Sequence, residues 1–140
     1  ESLAVMARRD HPRVGDTLAL QDYLAEQHVV VTPDERWTDF VSQEFERLRI
    51  SRQVVLRCHD YWTACQTVAT SDFLLTAQRS ALARALESFP ANRLLPMPAD
   101  METVEAMEVR LYWHESREED PGNRWLREQL CGIFAGPQGM

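Results

Sequence analysis

The 140-residue chain contains no lysine; its fifteen basic residues are all arginine and are outnumbered by 22 acidic ones, leaving a formal charge of −7. That balance disfavours nucleic-acid binding by this stretch itself, because affinity for DNA comes mainly from neutralising phosphates. Cysteine is scarce: Cys58, Cys65 and Cys131 are an odd number without a Cys-x-x-Cys pair. They exclude a disulfide frame and a zinc knuckle, and read as reduced, buried or half-buried thiols of a reducing compartment. No apolar run approaches a membrane span, and no basic n-region precedes an apolar h-region. The five glycines form neither a phosphate-cradling loop nor a nucleophile elbow. The four histidines are scattered, with no i, i+4 pair and no acidic residue at a ligand spacing. No metal, cofactor or catalytic residue is expected. His59-Asp60 with Cys65, and His114-Glu115, are the nearest approaches to a catalytic grouping. Neighbours on an extended strand point to opposite faces, so neither pair can be assumed to share a site.

What is present is an alternation of strand and helix patterns. Leu3 to Arg9 reads as a strand, and Leu18 to Glu26 as a short helix with Leu20, Tyr23 and Leu24 on one side. The apolar run 28–31 is a buried strand. Thr32-Pro33-Asp34-Glu35 has the form of a capping box with Pro at the first helical position. The helix behind it carries Trp37, Phe40, Val41, Phe45 and Leu48 on one stripe. Val54 to Arg57 predicts a strand, Tyr61 to Thr70 a helix capped by Asp60, and Phe73 to Thr76 a strand. Ala81, Leu82, Ala85, Leu86 and Phe89 mark a further helix stopped before Pro90. Such alternation argues for α/β architecture: a mostly parallel sheet with helices packed on both faces. The 98–106 stretch reads as a loose connection, and the polar tail 136–140 as disordered.

The closing stretch is the most individual. From Met107 to Trp113 apolar residues alternate with polar ones, the period of a half-buried strand. Asp120-Pro121 then places a capping carboxylate before a residue suited to open a helix. Trp125, Leu126, Leu130, Ile133 and Phe134 recur at helical spacing, and Trp125 is expected to be largely buried. The order Trp113-His114, Arg117, Asp120-Pro121-Gly122-Asn123-Arg124-Trp125-Leu126-Arg127 resembles the C-terminal signature of a large subset of LysR-type transcriptional regulators, with Gly122-Asn123 in place of Ala-His. The resemblance continues upstream. Ala4 to Pro12 looks like that family's strand, basic pair and His-Pro segment, and His28 to Thr32 like the first strand of its second half-domain. Ser71 to Thr76 and Leu94-Leu95-Pro96-Met97-Pro98 follow in family order, whereas Gln78 stands where a Pro is usual. The match runs from about Leu3 to Cys131.

The resemblance implies a three-layer, Rossmann-like lobe of the type II periplasmic-binding-protein fold. Residues 1–135 would be part of an effector-binding domain. About 28–98 would form its second lobe, and 1–27 and 99–135 would supply the crossover strands and closing helix of the first. The family's helix-turn-helix, linker helix and first half-domain are not in this sequence, and the start at Glu1 reads as a cut or cleavage point in a longer cytoplasmic protein. Ligands of open α/β sheets bind at the carboxyl ends of the strands. The effector-contact residues implied there are Thr32, His59, Asp60, Tyr61, Thr63 and Thr76, although Thr32 and Asp60 fit equally well as plain helix caps. The partner would be a small molecule, a carboxylate or an aromatic metabolite. DNA would be bound by the parent's other domain, not by this stretch, and the parent would be a homo-oligomer. The first helix of the second half, with the strand after it, packs on a partner subunit in that family, which makes Gln43, Arg47 and Val54 interface candidates. A periplasmic solute-binding protein of a transporter shares the fold and is the alternative; a helix-turn-helix or a signal peptide upstream would separate the two. An enzyme on the same scaffold has no motif here to support it.

Overall fold

The apolar run Leu3–Arg8 forms β1, and its alternate side chains enter two different cores. Leu3, Val5 and Ala7 pack with Tyr23, Val41 and Phe45 on one face; Ala4 and Met6 pack with Ala64, Cys65, Val68 and Leu82 on the other. A strand buried on both faces needs no polar alternation, which is why it reads as a continuous apolar run. The computed structural model that shows this describes residues 2–32, 34, 40–101 and 110–134. The chain divides into two compact units, Glu1–Met107 and Glu108–Met140.

In the first unit β1 is followed by α1 (Leu20–Ala25), β2 (Gln27–Val31), α2 (Phe40–Arg47), β3 (Gln53–Cys58), α3 (Tyr61–Ala69), β4 (Leu74–Gln78), α4 (Arg79–Ser88) and β5 (Asn92–Pro96). The sheet order is β3-β2-β4-β1-β5. β2 pairs in parallel with β3 and β4, and β1 is antiparallel to both β4 and β5. Four strands therefore run one way and β1 runs against them, the mostly parallel sheet that the strand–helix alternation predicts. Residues of α1 and α2 join the core on one face, and residues of α3 and α4 join the core on the other. The result is the three-layer α/β lobe.

Local chemistry sets the ends of these elements. Asp60 caps α3, its carboxylate accepting from the Thr63 amide at 2.7 Å and the Thr63 hydroxyl at 3.0 Å. At the far end of α2 the chain closes in a Schellman arrangement. The Ile50 amide bonds to the Phe45 carbonyl at 2.8 Å and the Arg49 amide to that of Glu46 at 3.0 Å, with Arg49 left-handed at φ 56°. This turn aims residues 50–52 into β3. Among the residues of the expected capping box and stripe, Pro33, Glu35 and Trp37 lie outside the described residues; Val41 and Phe45 are buried as expected.

At the end of the sheet where β1 finishes, charged groups interlock. Arg13 grips the buried Glu26 carboxylate through two bonds of 2.7 and 2.8 Å, and Arg8 holds Asp72 at 2.6 and 2.9 Å. His11 donates from Nε2 to the Asp72 carbonyl at 2.9 Å while Nδ1 accepts from the amides of Arg13 and Val14. The basic pair and the His-Pro step are thus a clamp joining β1, α1 and the approach to β4. Hydrogen bonds from Arg13 and Arg8 hold the Glu26 and Asp72 carboxyls below the usual carboxylate range. On the α1–β2 side, burial pushes the His28 imidazole down to about 4, even though its Nε2 donates to the Tyr23 carbonyl.

The second unit corrects two expectations. Arg110 to His114 carry no regular structure, so the strand predicted by their alternation is not formed; Met107 and Val109 lie outside the described residues. Alternation marks two faces, but a strand also needs a partner for its backbone groups, and no described strand pairs with this stretch. α5 (Pro121–Phe134) opens as predicted, with Asp120 accepting from the Asn123 amide at 2.9 Å. Yet Trp125 is 61% exposed, and Leu126 and Ile133 are exposed too. Cys131 is likewise exposed, whereas Cys58 and Cys65 are buried. A lone amphipathic helix beside one irregular segment lacks apolar partners within its own unit. What holds this unit is Arg127. Its guanidinium stacks 4.5 Å from the Trp113 ring centroid and donates to the Arg117 and Glu118 carbonyls and the Asn123 side chain. The Trp-His…Arg-Trp-Leu-Arg order is therefore a latch across a turn. The 136–140 tail lies outside the described residues.

Two outcomes follow. Replacing Arg49 by Gly removes the strain of a side chain at positive φ and should raise the unfolding free energy by about 1 kcal/mol in urea denaturation. Acid should destabilise the chain in two stages. His28 stays neutral when folded but takes a proton when unfolded, so its contribution falls from about pH 6.5 to about 4. The Glu26 and Asp72 contributions are complete above the unfolded carboxylate range near about pH 4, and are lost as pH drops through their lowered folded values. Denaturation at stepped pH should show both stages. In Glu26→Gln the lower stage should shrink, with a loss of about 1–2 kcal/mol at pH 7, because half-exposed Arg13 is resolvated by water.

Candidate functional site

β2, β3 and β4 end on the same side of the sheet, and each delivers candidate residues there. Thr32 follows β2 and is buried; its amide donates to the Cys58 carbonyl at 2.8 Å. Its own carbonyl accepts from Nδ1 of His59, just beyond β3, at 3.2 Å. Nε2 of His59 is left free to accept a hydrogen bond, or to donate one if the ring is protonated. Asp60 and Thr63 bond to each other in the α3 cap. Tyr61 donates its hydroxyl proton to the Gln78 side-chain oxygen at 3.0 Å, tying the start of α3 to the end of β4. Thr76, within β4, is buried, and its hydroxyl pairs with that of Tyr23 at 2.7 Å.

The six predicted residues thus share one end of the sheet but fall into three groups. Tyr61 and Thr76 line a small cavity of about 50 Å³ with Gln78, Val31 and Phe40. Thr32 and His59 lie in a larger open groove of about 590 Å³ that runs between α2 and the β3 edge. Asp60 and Thr63 line neither; they are spent on each other. The cap satisfies helix amides that would otherwise face a ligand, and these bonds from the Thr63 amide and hydroxyl keep the Asp60 carboxyl below its ordinary range.

Sequence reasoning missed part of this arrangement. Tyr23 was legible only as one member of an apolar stripe, and nothing in a stripe tells which tyrosine hydroxyl finds a partner on β4, 53 residues away. The groove also takes in Ser42 and Glu46 of α2 and Arg52 and Arg57 around β3, residues that spacing marks as surface. A lone arginine in the otherwise uncharged run Gln53–Cys58 was the available signal for Arg57. On the second unit, Leu111, Tyr112, Trp113 and Cys131 line a shallow apolar groove of about 550 Å³. Among the described residues no group of three His, Cys, Asp or Glu could hold a metal ion, and no helix is long and apolar enough to cross a membrane.

Known proteins share this fold. The model of the LysR substrate binding domain family matches residues 1–132. The chain is 28% identical to the HTH-type transcriptional regulator LinR of Sphingobium indicum over 96% of its own length and 44% of that protein's. It is 25% identical to the HTH-type transcriptional regulator PhcA of Ralstonia nicotianae, over 94% of this chain and 39% of that one. Among solved structures, a probable transcriptional regulator from Pseudomonas aeruginosa superposes with a TM-score of 0.74 at 30% identity, covering 94% of this chain and 42% of that one. The chain spans about two fifths of the length of these curated relatives. With a family match over nearly its whole length, on a three-layer lobe of that architecture, the chain belongs to the LysR substrate-binding-domain family.

Proposed function

We propose that this chain is the second lobe of the effector-sensing domain of a LysR-type transcriptional regulator, about residues 28–98, together with the crossover and closing segments 1–27 and 99–135. The observation that carries the reading is the convergence of Thr32, His59, Asp60, Tyr61, Thr63 and Thr76 on the side where three parallel strands end. In an open α/β sheet this is where a small molecule is held. The longer cytoplasmic protein would grip DNA through a domain outside this sequence. The effector would act by favouring one arrangement of lobes and subunits over another, since a ligand with equal affinity for both shifts nothing. The edge of β3 with Val54, beside the partly exposed Val55 and Leu56, and the neighbouring face of α2 with Gln43 and Arg47 would supply the contact between subunits. The family match favours a regulator over a transporter's solute-binding protein, which would share the lobe but not the relatives. No catalytic role is assigned.

Two measurements test this reading. Chemical-shift mapping with a panel of small carboxylic acids and aromatic metabolites should move the six residues above. Affinity should be at least about tenfold weaker in this chain than in the complete regulatory domain, because one wall cannot bury most of a ligand. Equal affinity, or shifts confined to α1, would refute the cleft-wall reading. In a low-salt anisotropy titration the chain, at −7, should show no saturable, sequence-dependent binding to duplex DNA. Such binding would contradict the assignment of DNA recognition to another domain.

A further inference from the structure

Thr76 carries a hydroxyl into a buried stretch of β4 whose neighbours Leu74, Leu75 and Ala77 are apolar. A valine of the same shape would fill the position and make no hydrogen-bonding demand. Instead the Thr76 hydroxyl is met at 2.7 Å by that of Tyr23, a fully buried residue of α1. The Tyr23 ring is held in turn by its neighbours, edge-on to His28 at 4.5 Å and to Phe45 at 6.0 Å between centroids. A phenol is the more acidic of the two hydroxyls and the better donor. Thr76 Oγ1 therefore accepts from Tyr23 and keeps its own proton and a lone pair for another partner.

Thr76 lines the small cavity at the end of β4. Val31, Phe40 and Val41 give this recess an apolar wall, Tyr61, Thr76 and Gln78 a polar one, and its volume is about 50 Å³. Small-molecule pockets run from about 300 Å³ upward, so this space admits the end of a ligand and not a whole one. The bond from the Tyr61 hydroxyl to the Gln78 side chain, 3.0 Å long, holds one side of it in place. Among the described residues, none that lines the recess is charged. Asp60, next to Tyr61 in the chain, is a carboxylate kept ionised by its helix cap. A carboxylate entering here would give up its water and gain no cation in return. An amide, ketone or alcohol loses far less on entering and finds hydrogen-bonding groups.

We infer that this recess receives an uncharged, hydrogen-bonding end of the effector, an amide, carbonyl or hydroxyl group, with Thr76 as the contacting residue and Tyr23 as the positioning residue that orients its hydroxyl. The inference rests on the effector-lobe reading and deepens it by naming the chemistry of the ligand's inner end. An effector that is also an acid would enter with its carboxylate outward. Tyr23 touches no ligand in this arrangement; it acts through the proton it gives to Thr76.

The test is NMR shift mapping on this chain with benzamide and benzoate, which share a shape and differ in charge. Benzamide should move the signals of Thr76, Ala77 and Gln78 saturably, and benzoate should act there at least about tenfold more weakly. Thr76→Val should weaken benzamide binding at least about tenfold, and Thr76→Ser, which restores the hydroxyl, should bring it within about threefold of the unaltered chain. Tyr23→Phe should weaken it about threefold or more although Thr76 keeps its hydroxyl. Combining Tyr23→Phe with Thr76→Val removes both hydroxyls, so neither loses a partner. That double variant should keep the fold, with an unchanged spectrum away from the recess, and bind no worse than Thr76→Val alone, because Tyr23 acts only through Thr76. The inference is overturned if neither probe moves residues 76–78, or if benzoate binds there as well as benzamide. It is equally overturned if Thr76→Val or Tyr23→Phe leaves benzamide binding unaltered, or if Tyr23→Phe weakens it by the same factor with and without the Thr76 hydroxyl. Shifts at Thr32, His59 and Thr63 with residues 76–78 silent would keep the effector cleft and discard the recess. Shifts at residues 76–78 with those three silent would keep the recess and discard the wider cleft.

Discussion

Burial of β1 on both faces is the constraint around which the first unit is arranged. Its five-residue apolar run can be satisfied only between two layers of helices, and its backbone only between two strands. Pairing with β4 on one side and β5 on the other meets the second demand; residues from the two helix pairs meet the first. Because β1 runs against its neighbours, β2, β3, β4 and β5 share one direction. Their carboxyl ends then gather the Thr32, His59–Thr63 and Thr76–Gln78 segments at one end of the lobe.

The charges are distributed in accordance with this geometry. At the end of the sheet where β1 finishes, Arg8, Arg13, Glu26 and Asp72 neutralise one another, and His11 bonds to the Asp72 carbonyl, so that three segments are joined. At the opposite end Asp60 is committed to its helix, its carboxylate accepting from the Thr63 amide.

The second unit shows what an interaction motif without a hydrophobic partner looks like. Arg127 binds the turn through two carbonyls, an amide side chain and the Trp113 ring, and Asp120 caps α5. These contacts are local, so they form from the sequence order alone. The apolar stripe of α5 is another matter: Trp125, Leu126 and Ile133 remain largely in solvent, because periodicity names a face to be buried but supplies nothing to bury it against.

Much of this protein was determined by the sequence itself. The strand–helix alternation, the Asp60 and Asp120 caps, the helical stripes of α2 and α4 and the family signature are local patterns, governed by φ/ψ preferences, side-chain period and short-range hydrogen bonds. The three-layer lobe, with helices on both faces of a mostly parallel sheet, followed from them. Tertiary structure alone decided the reversed direction of β1 and its place between β4 and β5, since pairing partners are not encoded in any one segment's period. It also decided that Tyr23 reaches Thr76, that Arg8 reaches Asp72 across 64 positions, and that Arg13 reaches Glu26. Each of these depends on which distant groups folding brings within about 3 Å, the range over which hydrogen bonds act, and a linear sequence does not contain that distance.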